Sequence, residues 1–124
     1  MKLLFRIALT CLLLAGGRAG AQSPVQRAPA RTADQRNPLA GSEQARLAGA
    51  KLYARECAAC HGPNREGRGN ALPLDQAEVR EAAPGALFWV LRNGSLRRGM
   101  PSFAHLPAPQ RWQIITFLQS AASR

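Results

Sequence analysis

Acid is scarce in this chain: 7 Asp and Glu residues stand against 17 Lys and Arg among 124 residues, a net charge of +10, with a pI near 11.4. Such a balance suits nucleic acid, an anionic membrane or an acidic protein, but no stripe of interleaved aromatic and basic residues accompanies it, which argues against nucleic acid. Cysteine is scarce too. With only Cys11, Cys57 and Cys60 there is no disulfide framework, and a bridge between Cys57 and Cys60 would close so small a loop that it would staple almost nothing. A second C-x-x-C is missing and the only histidines are His61 and His105, so a zinc site would lack an ordinary set of four ligands. The apolar run over residues 7–15 falls well short of the roughly 20 residues a membrane-spanning helix needs. No segment alternates apolar and polar residues as a half-buried strand does. What these absences leave is a small all-α domain.

The N-terminus has a clear layout. Lys2 and Arg6 flank the start of the short apolar run, and Ala19-Gly20-Ala21 offers an A-x-A cleavage site, the arrangement of a secretory signal peptide over residues 1–21. The expectation is an exported, periplasmic protein with no stable membrane span once the segment is cleaved; a retained helical anchor is the alternative. Loss of Lys2, Arg6 and Arg18 takes three from the net charge of +10 and leaves the rest strongly basic. Residues 22–41 mix Pro, Ala, Gln and Arg without apolar periodicity, which predicts a disordered linker. The domain is expected over residues 42–124.

Within that domain three main helices are predicted. Ser42 can cap a helix running through "EQARLAGAKLYARE", with Glu43 in its first turn and Ala45, Gly49, Leu52 and Tyr53 on one face. Gly49 would cost about 1 kcal/mol against Ala inside a helix, so its presence predicts a close approach by another backbone. A second helix is expected from Pro84 to Asn93, with Pro in its first turn and Gly94 as its stop. A third begins at "PAPQ" and carries Ile114, Ile115, Leu118 and Ala122 on one stripe. Between the first two lies a Gly- and Pro-rich loop, with one helical turn over Gln76 to Glu81. About 80 residues of this kind bury little apolar area, and domains of that size generally need a staple, a metal or a cofactor.

The chemistry concentrates in Cys57-Ala58-Ala59-Cys60-His61. In a helical turn the two cysteines share a face and His61 projects beside them. Three uses fit such a cluster: a dithiol redox pair, part of a zinc site, or covalent attachment of haem. A thioredoxin-like dithiol would follow a strand in a βαβ unit, and the zinc site lacks ligands. The spacing favours haem, with the cysteines bonding its edge and the imidazole meeting the iron. Beyond Met1 the only methionine is Met100, in a loop between the second and third helices and followed by Pro101; its soft thioether makes it the candidate for the second axial position. His105, in "FAHLP", is the rival.

These residues resemble the monohaem class I cytochromes c over residues 43–124. The motif "CAACH" is joined by Gly49 and Tyr53 at the spacing of that family's N-terminal helix contact, and Phe117-Leu118 matches the pair by which its C-terminal helix crosses. The resemblance implies the cytochrome c fold: three main helices with loops wrapped around one covalently bound haem c. Pro73, twelve residues after His61, matches the proline whose carbonyl in that family accepts the histidine Nδ1–H. The stretch "GALFWVLRNGSLRRGMPSF" is similar to small cytochromes and cytochrome domains attached to bacterial periplasmic dehydrogenases and terminal oxidases. Where many relatives carry lysines around the haem edge, this chain has only Lys51 beyond residue 21 and relies on arginines.

The function implied is one-electron transfer, as a free carrier or an electron-accepting subunit of a dehydrogenase or oxidase complex, and not as an enzyme in its own right. His61 and Met100 would hold the iron. Redox partner proteins, a periplasmic dehydrogenase, an oxidase or another cytochrome, are the expected contacts, with the positive charge serving to dock acidic surfaces. The alternative is a haem protein with an open distal position, a weak peroxidase or gas binder, in which Met100 is not bound.

Overall fold

A computed structural model of the protein describes residues 20–120. Nearly all of the expected signal peptide, and Ala122 of the predicted apolar stripe, lie outside the described residues. The elements are α1 (Ala30–Ala33), α2 (Glu43–Glu56), α3 (Ala58–His61), α4 (Ala77–Arg80), α5 (Pro84–Asn93) and α6 (Ala108–Gln119), with single 3-10 turns at Val25–Arg27 and Leu96–Arg98. No strand occurs among the described residues; the sheet-like pairing there is limited to isolated bridges between Arg68 and Ala71 and between Ser95 and Met100. The fold is all-α, as the absence of alternation implied.

Local chemistry sets the ends of the long helices. Ser42 Oγ accepts the Ala45 N–H at 3.2 Å, a cap of about 1 kcal/mol, and Glu43 in that first turn pairs with Arg46 on the exposed side. Pro84 begins α5 and Gly94, at φ +71°, ends it. Ala45, Gly49, Leu52 and Tyr53 are the buried residues of α2, the face the spacing predicted. They pack against α6, whose Ile114 and Ile115 have no exposed surface. Burial of each such side chain is worth about 1.5–3 kcal/mol.

The crossing of α2 and α6 turns on Gly49. A Cβ there would overlap the carbonyl oxygen of Gln113 and press on Phe117 Cβ, so the two backbones are nearly in contact. Beside it the Tyr53 and Phe117 rings sit 5.3 Å apart and tilted by 50°. Gly49→Ala is therefore expected to push the helices apart. Overpacking of about 1–3 kcal/mol, enlarged here because backbone rather than a flexible side chain must yield, outweighs the helix propensity gained of about 1 kcal/mol. A net loss of about 2 kcal/mol in denaturant unfolding of the haem-loaded protein is the expected result, and unchanged stability would mean that the crossing tolerates a methyl group.

One expectation is corrected. Residues 22–41, predicted as a disordered linker, are packed onto the helices. Val25 lies against the buried core, α1 rests on α5 with the Thr32 carbonyl oxygen where a Cβ of Gly85 would stand, and Asn37 is 8% exposed. The Asn37 side-chain amide donates to Thr116 Oγ1 at 2.9 Å, and its Oδ1 accepts the Leu39 N–H at 2.9 Å. The segment has no apolar face of its own, which is why its composition reads as solvated; long-range contacts with α5 and α6 order it.

Candidate functional site

Cys57 ends α2 and caps α3, its backbone N–H donating to Tyr53 O at 2.8 Å while its carbonyl accepts from His61 N at 2.9 Å. The motif is thus one short helical turn running on from α2. Gly62 follows at φ +83° and ends it. Tyr53 Oη donates to the Gly62 carbonyl at 2.7 Å in a buried hydrogen bond, which ties the end of the turn back to α2. Burial raises the Tyr53 hydroxyl to about 12, with the neighbouring Cys57 and Glu66 acting in the same direction. The two cysteines differ in setting: Cys57 is buried and Cys60 exposed, and neither is bridged. Burial pushes the Cys57 thiol up to about 12, helped by Glu56 and Cys60.

The loop after the turn positions His61. Gly67 N donates to His61 O at 2.8 Å, and Leu74 N to Arg65 O at 2.8 Å. Arg65 holds φ at +64°, unusual for a residue other than glycine. Its guanidinium lies over the Phe117 ring, 4.9 Å from the centroid, which braces the loop against α6. The loop delivers the Leu72 carbonyl to His61 Nδ1 at 2.7 Å. A carbonyl only accepts, so Nδ1 carries the proton and the Nε2 lone pair is left free for a metal. The acceptor expected by resemblance was the carbonyl of Pro73, and here the position moves by one residue. Leu72 turns its carbonyl to the histidine, while Pro73 lines the cavity beside it.

Met100 comes from the other side of the domain. Ser95 N donates to Met100 O at 2.9 Å and Met100 N to Ser95 O at 3.1 Å, closing a tight loop around Leu96–Arg98. Gly94 is needed there, since a Cβ would lie 2.7 Å from Met100 O and from Pro101 C. Phe103 N donates to Leu91 O at 2.7 Å and fixes the far end of the loop to α5.

Between these parts lies a cavity of about 630 Å³, within the range that holds a drug-sized or cofactor molecule. Cys57, Cys60, His61, Pro73 and Met100 all line it, and Leu87, Val90, Leu91, Phe103, Ile114 and Leu118 make its apolar walls. His105 does not line it; it is exposed and tilts against Phe103, ring centroids 5.9 Å apart. Among the described residues no group of three or more His, Cys, Asp or Glu side chains gathers to hold a metal ion, so the zinc alternative finds no ligand set there.

Residues 44–118 match the family model described as cytochrome c oxidase, cbb3-type, subunit III. The chain belongs to this family. No curated protein and no solved structure matches it. The cbb3-type subunit III match spans α2 to Leu118 of α6 and so contains the whole "CAACH" turn, the Leu72 loop and Met100. It supports the class I cytochrome c resemblance read from the sequence and implies a c-type haem. The residues present fit that group: an apolar cavity, two thiols at one end, an imidazole with Nε2 free and a thioether in the same lining.

Several functional residues were not legible beforehand. Ser23, Pro24 and Val25 line the cavity although their segment reads as linker. Leu72 acts through its backbone, which leaves no trace in residue type. Arg65, braced on Phe117, could have been found only from the fold.

Proposed function

We propose that the protein is an exported one-electron carrier, or the electron-accepting subunit of an oxidase or dehydrogenase complex, built on one haem c bonded through Cys57 and Cys60. Its axial ligands are His61 and Met100. The observation that carries this reading is the common lining of one apolar cavity by both cysteines, His61 and Met100, with His61 Nδ1 already engaged by the Leu72 carbonyl. When bound, the haem supplies a one-electron change between Fe(III) and Fe(II). The chain's own residues hold, orient and shield. Leu72 O fixes the His61 tautomer and ring direction, the Ser95–Met100 pairing fixes the backbone from which the thioether projects, and the α5 and α6 side chains supply the apolar walls. If His61 and Met100 both held the iron, no position would be left open for oxygen or peroxide, which favours a carrier over a peroxidase. The test is production alongside a cytochrome maturation system, followed by mass and absorption spectra. One covalently attached haem with a low-spin spectrum is expected; a colourless chain of unmodified mass would overturn the reading.

No helix among the described residues is long and apolar enough to cross a membrane; the basic start, short apolar run and A-x-A site expected over residues 1–21 are what support export. The family's name is that of an oxidase subunit, which supports a place in or beside such a complex. Docking is proposed to use Arg97 and Arg98. Both belong to the turn that precedes Met100, Arg97 is exposed, and Arg98 lines the cavity. Charges at such a rim act mainly on association rate and are screened over about 8–10 Å at ordinary salt. Arg97→Glu with Arg98→Glu is therefore expected to slow electron transfer to an acidic partner by roughly tenfold at low ionic strength, the loss fading at high salt, while the low-spin spectrum is kept and the potential falls because Arg98 lines the cavity. Stopped-flow rates against salt concentration check it, and equal rates for wild type and double mutant at low salt would remove the docking role.

A further inference from the structure

The cavity is closed on one side by residues that lie outside the family match. Ser23, Pro24 and Val25 line it, whereas the match begins at residue 44. Three separate contacts hold this strap in place. Val25 packs against the buried core that includes Leu87 and Leu91. Further along, α1 occupies the space that a side chain at position 85 would take, with Thr32 O and Gln35 against Gly85. Asn37 then anchors the strap to α6 through Thr116 Oγ1 and, at 3.4 Å, the Trp112 carbonyl. The Thr32, Gln35 and Asn37 contacts involve none of Cys57, Cys60, His61 and Met100, whereas Val25 packs on the cluster that contains Cys57. The strap can therefore be loosened at α1 or Asn37 without touching the attachment or the ligands directly.

We propose that residues 23–25, held in place by the strap that runs on to Asn37, form a fixed wall of the haem cavity and that Val25, by excluding water on that side, holds the reduction potential higher than the family-matched core would alone. The proposal rests on the haem reading above. The physical argument is one of solvation. Oxidation adds a positive charge at the iron, water stabilises that charge, and an apolar wall that keeps water away favours the reduced state. The strap has the composition of a solvated segment, so its ordering on α5 and α6 is a tertiary device and not a local preference.

Two variants of the full chain, loaded with haem, test it. In Gly85→Ala the new methyl group takes the place of the Thr32 carbonyl, so the strap should lift while α5 keeps its helix. Arg27 and Arg31 are exposed but sit in ordered turns, so trypsin reaches their bonds only through local opening. Cleavage after Arg27 is expected to be roughly tenfold faster in Gly85→Ala than in wild type, with a lower potential and an unchanged low-spin spectrum. In Val25→Ser the strap should stay attached, with trypsin cleavage near the wild-type rate, while the potential falls because the wall has become polar. Equal potentials in wild type and both variants, with haem bound in each, would overturn the wall and leave the carrier reading standing. Wild-type cleavage after Arg27 as fast as in a free peptide of the same sequence would do the same. A wild-type chain that carries no haem would overturn both.

Discussion

Cys57→Ala and Cys60→Ala are each expected to yield a chain that has lost two-point haem attachment and, at Cys57, most of its folded stability. The cavity explains the size of the effect. A largely apolar space of about 630 Å³ is more than a domain of this size leaves unfilled, so the haem would supply much of its core. A domain this small cannot hold such a space open; it either fills it or collapses. The two positions should differ in degree. Cys57 is buried against the core and Cys60 is exposed, so truncation at 57 also removes packing, whereas truncation at 60 removes only the bond. Haem staining on a denaturing gel, intact mass and thermal melting measure the three consequences. Full covalent loading of both single mutants would show that the cysteines are not the attachment points.

Met100→Ala has the second largest expected effect, this time on electronic state. The Ser95–Met100 pairing and Gly94 hold the backbone of the loop independently of the side chain, so truncation should leave the fold in place and free one axial position. The spectrum is then expected to turn high-spin, the potential to fall, and carbon monoxide or cyanide to bind readily. His105→Ala is the control, because His105 is exposed and does not line the cavity; its spectrum should match wild type. A shift in His105→Ala with none in Met100→Ala would mean that the distal ligand has been misassigned.

Legibility followed the range of the interactions. Capping by Ser42, the Pro84 start and Gly94 stop of α5, and the buried face of α2 are local, and each could be read from neighbouring residues. Gly49 was legible in part, since a costly glycine in a helix announces an approaching backbone without saying whose. The identity of the carbonyl on His61 was missed by one residue, because every residue has a carbonyl and only the path of the loop selects Leu72. The strap was missed altogether. Its order comes from Thr32 on Gly85 and Asn37 on Thr116, pairs far apart in the chain whose residue types individually suggest nothing.

The near contact of Gly49 with Gln113 also governs how this architecture can vary. It ties together two points with the cofactor-binding loops strung between them, so the middle of the chain is a closed loop of about 60 residues. The entropy of closing such a loop grows only as the logarithm of its length, about 0.6 kcal/mol for each doubling. Insertions between α3 and α5, or around the distal turn, therefore weaken the closure very little as long as the glycine crossing survives. Replacing that single glycine threatens what lengthening a loop by several residues does not, and chains of quite different length can close around the same cofactor.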